Sequence, residues 1–257
     1  MAQPLPSESL RTPSAGVLSL IESRQAESWD ASKILTWAVE NFHPSLALAC
    51  SFGAAEGLAV FDILHPIEPG ARVFVLDTGR LPQATHDLID RVRERYGAQV
   101  EVLFPRGEDV AAMVRERGQN LFYESVANRQ LCCRIRKVEP LNRHLAGLEA
   151  WVTGLRRDQT ANRSSAPKIE IDAAHGGIVK VNPIADWTHD EVWRYVRAHD
   201  LPVNRLHAQG YPSVGCAPCS RAVPVGADPR SGRWWWEQGG DRECGIHVVQ
   251  EEQGSGI

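Results

Sequence analysis

Four of the six cysteines occur as two close pairs, a spacing typical of metal-binding sites. Cys132 and Cys133 are adjacent, whereas Cys216 and Cys219 form a Cys-x-x-Cys motif. Adjacent cysteines rarely bond to each other, because the ring that the disulfide closes is strained. Four thiolates are the ligands of a Cys₄ zinc ion or of an iron–sulfur cluster. Zinc sites usually take two Cys-x-x-Cys-like turns, so the adjacent pair favours iron. Buried cysteines without a metal are the alternative.

Cys244 stands apart from these pairs, near the end of the sequence. A glycine follows it, and Arg242 and His247 are close enough in the chain to stabilise its thiolate. This environment predicts a reactive thiol that reaches into a site, whereas an incidental exposed thiol is the alternative. The upstream run Trp234-Trp-Trp236 is predicted to anchor this part of the chain to the body of the protein.

Three predicted strands are each followed by a loop with groups that can bind an anion. The loops are Ser51-Phe52-Gly53, Asp77-Thr78-Gly79-Arg80 and Gly154-Leu155-Arg156-Arg157. Glycine lets the backbone approach an anion, hydroxyl groups donate hydrogen bonds, and arginine donates two at once. In open parallel sheets, ligands bind at the carboxyl ends of the strands. Together the loops predict a site for an anionic ligand of nucleotide size, although each alone also fits an ordinary turn.

The spacing of apolar residues predicts an α/β fold beneath these loops. A helical pattern runs from Trp29 to Ala38. Buried strands are predicted over residues 46–50, 72–76, 99–104 and 151–153, with helical patterns between the first three. Strands that alternate with helices indicate a parallel sheet with crossover helices. A strand pair over 168–172 and 178–181 and a helix over 188–197 follow. We therefore expect a loose arm over residues 1–25, an α/β domain over 26–225 that binds nucleotide and metal, and an irregular C-terminal tail over 226–257.

Composition and charge exclude several classes of protein. The 257 residues are 43% hydrophobic and 23% charged, which is ordinary for a globular protein with a substantial core. The sequence has neither the roughly 18 consecutive apolar residues of a membrane span nor a secretory leader, so we expect a cytoplasmic protein without a membrane partner. A net charge of −4 argues against a broad nucleic-acid-binding surface. The oligomeric state stays open, and a homo-oligomer is one alternative.

Longer motifs make the sequence resemble the assimilatory adenylylsulfate (APS) reductases, the iron–sulfur branch of the phosphoadenylylsulfate (PAPS) reductase family. The resemblance runs over residues 28–247 and departs at Gly57, where members of this family often carry an acidic residue. Besides Ser51-Phe52-Gly53, the motifs are Leu76-Asp-Thr-Gly-Arg-Leu81, Cys132-Cys-Arg-Ile-Arg-Lys-Val-Glu-Pro-Leu141, Thr153-Gly-Leu-Arg-Arg-Asp-Gln159, Gly210-Tyr-Pro-Ser-Val-Gly-Cys-Ala-Pro-Cys219, Gly232-Arg-Trp-Trp-Trp-Glu237 and Glu243-Cys-Gly-Ile-His247.

The resemblance implies an adenine-nucleotide α-hydrolase-type sheet, related to the PP-loop proteins, and a [4Fe–4S] cluster on Cys132, Cys133, Cys216 and Cys219. It also implies that Cys244 attacks the sulfur of APS, releases AMP and carries an S-sulfo group until thioredoxin or a similar dithiol releases sulfite, in sulfate assimilation and cysteine biosynthesis. An anionic nucleophile that meets an anionic substrate requires fixed cations. The catalytic candidates are therefore Cys244, Lys137, Arg230, Arg233 and His247. The substrate-binding candidates are Ser51, Phe52, Gly53, Asp77, Thr78, Gly79, Arg80, Gly154, Arg156 and Arg157, and Arg157 is also a candidate cation for the reaction.

Other functions remain as alternatives at this point. Enzymes dedicated to PAPS generally lack the four cysteines, so their presence favours APS, although an enzyme that uses both substrates fits as well. A PP-loop RNA-thiolating enzyme needs an SGGxDS loop, which Ser51-Phe52-Gly53 and its neighbours do not provide. A nucleotide-binding protein with structural zinc would be colourless, unlike an iron–sulfur protein. No further Cys-x-x-Cys follows Cys244, so we expect a separate molecule to supply the electrons.

Overall fold

A computed structural model describes residues 12–237 and Ile246. A six-stranded sheet forms the centre of this part, in the order β3-β2-β1-β4-β6-β5, and all neighbours are parallel except β5 and β6. The parallel α/β fold expected from the sequence is confirmed. The strands are β1 (Leu46–Ala49), β2 (Arg72–Leu76), β3 (Val100–Leu103), β4 (Ala150–Val152), β5 (Ile169–Asp172) and β6 (Ile178–Val181).

Helices connect the strands and cover the sheet. The helices are α1 (Ala15–Ser23), α2 (Ala31–Phe42), α3 (Ala55–Ile67), α4 (Gln83–Tyr96), α5 (Gly107–Arg117), α6 (Val126–Cys133), α7 (Glu139–Leu145) and α8 (His189–Ala198). A single π-helical turn, Arg134–Val138, joins α6 to α7. Sequence patterns predicted α2, α3, α4 and α8, but they did not predict α5 to α7, which carry the first cysteine pair. In the described part, no helix is long and apolar enough to cross a membrane.

Side chains of β1 alternate between the two faces of the sheet, as a strand with both faces buried requires. Leu46 and Leu48 pack into the larger core with residues of α2, α3 and α8. Ala47 points the other way, where it packs with Leu141 of α7 and Trp151 of β4. The sheet is therefore rigid on both sides, and the loops at its carboxyl ends are held in fixed positions.

The expectation of a loose arm is wrong for residues 15–25. Residues 15–23 form α1, whose first turn is capped by Ser14, because the Ser14 Oγ accepts a hydrogen bond from the Val17 N–H at 3.4 Å. Val17 is only 3% exposed and packs into the larger core. A short helix with a single buried anchor gives too weak a periodicity to be recognised in a segment rich in Pro and Ser. Residues 1–11 lie outside the described residues.

Candidate active site

A cleft of about 420 Å³ opens between the carboxyl ends of β1 and β4. The chain runs from β1 outward to β2 and β3, and then returns to the other side of β1 to form β4. This reversal leaves a crevice between β1 and β4, the position where open α/β sheets bind ligands. Ser51 after β1 and Gly154 after β4 both line the cleft, as the sequence predicted for two of the three loops.

The loops after β1 and β4 pack closely against each other. A Cβ atom on Gly154 would lie 2.9 Å from the Glu56 Cβ and 2.9 Å from the Gly57 nitrogen, distances that only glycine avoids. Gly57 in turn faces Cys50, since a Cβ atom there would lie 2.9 Å from the Cys50 Sγ. The departure from the family pattern at residue 57 therefore leaves room for a buried Cys50, whose pKa burial raises to about 12.

A network of charged side chains lines this wall of the cleft. Arg156 Nε and Nη2 donate to Glu56 Oε1 at 3.0 and 2.9 Å, and Gln159 Nε2 donates to the same oxygen at 3.1 Å. Arg156 Nη1 also contacts the Asp158 carboxylate. Arg156 is thus matched by two carboxylates. Arg163 Nη1 donates to Gln159 Oε1 at 2.6 Å and extends the network along the cleft.

Three further cationic side chains line the cleft. Lys137, Arg230 and Arg233 line it, and their catalytic roles stay predictions. The backbone holds Arg233 in place, because its Nε donates to the Cys219 carbonyl at 3.1 Å. A Cβ atom on Gly215 would lie 2.4 Å from Arg233 Nη2, so the guanidinium occupies the space that this glycine leaves open.

The four paired cysteines line one small cavity of about 20 Å³ beside the cleft. Cys132 and Cys133 end α6, whereas Cys216 directly precedes the short helical turn Ala217–Cys219 and Cys219 ends it. The five described cysteines form no disulfide. Lys137 lines both this cysteine cavity and the cleft, so it lies between them.

Burial makes bare thiolates unfavourable in the cysteine cavity. The pKa of Cys219 is raised to about 12, first by burial and then by the neighbouring Cys216 and Cys133, while Lys137 and Arg233 oppose the shift. The pKa of Cys132 is raised as well, mainly by burial. Such thiols lose their protons when they bind a metal, because the positive charge of the metal stabilises the thiolates that burial otherwise disfavours.

The donor set of the cysteine cavity fits a cluster with four thiolate ligands. Its lining residues include four thiols and four cationic side chains, but neither a carboxylate nor an imidazole. Within the described ranges, no three His, Cys, Asp or Glu side chains are spaced to hold a single metal ion. Among the described residues, the cavity therefore offers thiols as its only side-chain metal ligands.

The loop Asp77-Thr78-Gly79-Arg80 faces the cysteine cavity rather than the cleft. Thr78 Oγ1 lies 3.2 Å from Cys216 Sγ, and the Ala217 N–H donates to the Arg80 carbonyl at 2.8 Å. Asp77 accepts from the Gly79 N–H at 2.8 Å, which stabilises the turn, and Arg80 lines the cavity. Within the described residues none of the four lines the cleft, so their predicted contact with substrate stays a prediction.

Phe52, Gly53 and Arg157 also lie away from the cleft. Phe52 is 1% exposed and belongs to the larger core, and a Cβ atom on Gly53 would lie 2.4 Å from the Val214 carbonyl oxygen. Arg157 points in the opposite direction from Arg156, where Nε donates to the Ala166 carbonyl at 2.8 Å and Nη2 contacts the Glu27 carboxylate. The structure thus gives Arg157 a role in fastening the N-terminal region to this loop.

Sequence reasoning missed several residues of the cleft. Glu56 and Arg163 line it, as do Trp193 and His207 at one end. Arg163 lies in a polar stretch without periodicity. Trp193 lies in α8, where an apolar residue is expected for packing and does not indicate a binding site. A signal existed only for Glu56, which follows directly on the first loop.

The C-terminal tail is described at two places. Trp234 is 1% exposed, which confirms that this tryptophan anchors the chain to the body. Ile246 lines the cleft and packs against the smaller core that contains Leu141 and Trp151. Cys244 and His247 lie outside the described residues, so their predicted roles stay predictions.

The fold and the site define a class of α/β protein. Its cleft, large enough for a nucleotide, lies between β1 and β4, where the strand order of the parallel sheet reverses, and a four-cysteine centre lies beside the cleft. Residues 45–222 match the phosphoadenosine phosphosulfate reductase domain family. The chain belongs to this family.

Individual relatives agree with this assignment. The adenosine 5'-phosphosulfate reductase of Allochromatium vinosum is 50% identical over 203 residues, which cover 79% of this chain and 78% of the relative. The crystal structure of the PAPS reductase from Candida auris covers 84% of this chain and all of that chain, with a TM-score of 0.68 and 26% identity. Yeast FAD synthetase covers 84% of this chain and 71% of that chain, with a TM-score of 0.54 and 12% identity, and is similar in fold alone.

Proposed function

We propose that this protein reduces APS to sulfite and AMP with electrons from a dithiol, as a step of sulfate assimilation. The observation that carries the proposal is the cysteine cavity beside the cleft, with Lys137 between them. Half of the aligned residues are identical to those of an adenosine 5'-phosphosulfate reductase, which supports the same substrate. Reduction of PAPS remains the closest alternative.

The cleft supplies what the reaction requires of its electrostatics. A thiolate that approaches a sulfate ester must overcome the repulsion between two anions, so fixed cations have to surround the transferred group. Lys137, Arg230 and Arg233 line the cleft and are the proposed cations, and Lys137 also lines the cysteine cavity. Arg156 is matched by Glu56 and Asp158, so it positions the loop after β4 instead of adding net positive charge.

We propose that Cys132, Cys133, Cys216 and Cys219 hold a [4Fe–4S] cluster. The four thiols, the absence of carboxylate and imidazole side chains among the described lining residues and the adjacency of Cys132 and Cys133 support this assignment. When bound, the cluster supplies a covalent link between α6 and the Ala217–Cys219 turn, together with a fixed charge next to Lys137. The chemistry of sulfate reduction is carried by the chain's own residues.

Cys244 is the nucleophile in this proposal. Its thiolate attacks the sulfur of APS, an S–S bond forms, the S–O bond to the phosphate breaks, and AMP leaves with the bonding electron pair. A thiolate of the reductant then attacks the Cys244 Sγ and expels sulfite. The second thiol of the reductant resolves the mixed disulfide and restores Cys244, so the dithiol loses the two electrons that the sulfur gains. Ile246 lies on the cleft only two residues further along the chain, which supports access of Cys244 to the same cleft.

The experiment that tests the proposal is a single turnover without reductant. We expect the wild-type protein, incubated with APS, to gain the mass of an SO₃ group on the peptide that contains Cys244 and to release one AMP. Cys244→Ser should keep its iron content and bind APS, but form no adduct, because a serine hydroxyl is almost wholly protonated at neutral pH. An adduct on Cys50, or AMP release by Cys244→Ser, would refute the assignment.

A further inference from the structure

A buried ion pair joins the C-terminal tail to the helix that carries the first cysteine pair. Arg129 Nε donates to Glu237 Oε1 at 2.9 Å, and Arg129 Nη2 donates to Glu237 Oε2 at 3.1 Å. The side chains are only 1% and 5% exposed. Two parallel hydrogen bonds between a guanidinium and a carboxylate fix orientation as well as distance. Neither the cleft nor the proposed sulfur chemistry requires this pair.

Aromatic packing holds the same pair from the other side. Trp234 lies between two guanidinium groups, with Arg129 at 4.6 Å and Arg233 at 4.8 Å from its ring centroid. Trp236 Nε1 donates to the Phe122 carbonyl at 3.1 Å. The first part of the tail is thus attached to α6 and to the turn before it at several points, and both Trp234 and the ion pair are buried.

The position of Arg129 in its helix connects the pair to both sites. Cys132 and Cys133 follow three and four residues later, so they lie on the same face of α6. Arg129 itself lines the cysteine cavity. On the other side of the pair, Cys244 follows Glu237 by seven residues, and Ile246 is back at the cleft. The ion pair is therefore the last described attachment before the proposed nucleophile.

We propose that Arg129 and Glu237 form a latch that positions the C-terminal tail, and with it Cys244, relative to the cleft. The part of the proposal that concerns Cys244 rests on the proposed function. A buried pair is costly to break, because either partner alone is left as an uncompensated charge in the interior. The pair therefore fixes the position of Glu237, and Cys244 follows only seven residues later in the chain.

The rate of cleavage by trypsin tests the latch in the absence of substrate. Trypsin can cleave after Arg242, and native-state cleavage tracks the fraction of molecules in which the site is open. Because hydrogen bonds to charged groups are among the strongest in proteins, Glu237→Gln and Arg129→Gln should each raise the rate of this cleavage by about tenfold or more. Glu116→Gln, which disrupts an exposed ion pair with Arg117, is the matched control and should leave the rate unchanged.

A double variant separates a latch from two independent effects. If the residues act only through each other, Arg129→Gln combined with Glu237→Gln should be cleaved no faster than the faster single variant. Additive increases would overturn the proposed pairing. Unchanged cleavage in both single variants would overturn the latch altogether.

The rate of Cys244 sulfonation then decides whether the latch positions the nucleophile. We expect Glu237→Gln to form the S-sulfo adduct at least tenfold more slowly in a single turnover, with unchanged iron content and unchanged affinity for APS. Faster cleavage with a normal adduct rate would reduce the pair to a stabilising contact and overturn the positioning role. If the wild type formed no adduct, the proposed function would be refuted. The cleavage rates of the variants would still test the latch, because they do not depend on APS.

A milder variant covers the case in which Glu237→Gln loses iron or does not fold. Trp236→Phe removes the hydrogen bond to the Phe122 carbonyl and keeps an aromatic ring against Phe122 and Tyr123, although a smaller one. It should raise cleavage after Arg242 by a smaller factor, about threefold, in line with the loss of one neutral hydrogen bond, and should slow the adduct by a similar factor. Wild-type values for both rates in Trp236→Phe would contradict the proposal.

Discussion

Replacement of Gly154 by alanine should destabilise the protein through a single added methyl group. Its Cβ would lie 2.9 Å from the Glu56 Cβ, 2.9 Å from the Gly57 nitrogen and 3.0 Å from the Glu56 carbonyl carbon. Two of these are backbone atoms at the start of α3, so the contact cannot be relieved by rotation of a side chain. Overpacking costs about 1–3 kcal/mol, and contact with fixed atoms places this site near the upper value.

The unfolded chain offsets part of this cost. Alanine lowers the entropy of the unfolded state and thereby returns about 0.4–1 kcal/mol. The net loss is about 2 kcal/mol, which corresponds to a decrease in Tm of roughly 4–8 °C for a chain of this size. Because the contact lies at the cleft, the KM for APS should also rise.

Gly16→Ala is the matched control for this measurement. Gly16 lies in α1, and a Cβ atom there would meet nothing within 4 Å. The same chemical change should therefore leave the Tm unchanged or raise it, because alanine favours a helix over glycine by about 1 kcal/mol. Thermal unfolding followed by circular dichroism compares the two variants. A Gly154→Ala protein that melts at or above the wild-type Tm would refute the reasoning from close contacts.

Three further outcomes are expected. Cys133→Ser should lose most of its iron and its brown colour, whereas Cys244→Ser should keep both; full iron content in Cys133→Ser, measured by metal analysis, would contradict the ligand assignment. Because the pKa of the Cys50 thiol is about 12, about one in ten thousand is a thiolate at pH 8, so native Cys50 should react with iodoacetamide far more slowly than in the unfolded chain and about tenfold faster per pH unit. Rapid labelling of native Cys50 at pH 8 would disprove its burial. Initial rates of sulfite release should give a clearly higher kcat/KM for APS than for PAPS, and equal values would refute the preference but not the reaction.

Local patterns in the sequence determined the types of element and the candidate ligands. Runs of apolar residues predicted β1 to β4 within one or two residues, because a strand with both faces buried leaves a continuous signal. The spacing of the two cysteine pairs indicated one shared site, and the structure places all four at one cavity. These features depend on residues that are close in the chain, so the sequence alone is enough to predict them.

Tertiary structure decided which of the predicted loops face the cleft. The order of strands places β4 beside β1, so the loops after these two strands form the cleft, whereas the loop after β2 turns to the cysteine cavity. Arg156 and Arg157 are adjacent and identical in type, yet one lines the cleft and the other binds Glu27. Arg129 and Glu237 form their pair across 108 residues. Hydrophobic periodicity specifies which face of an element is buried but not which element covers it, and these long-range contacts exist only once the sheet has assembled.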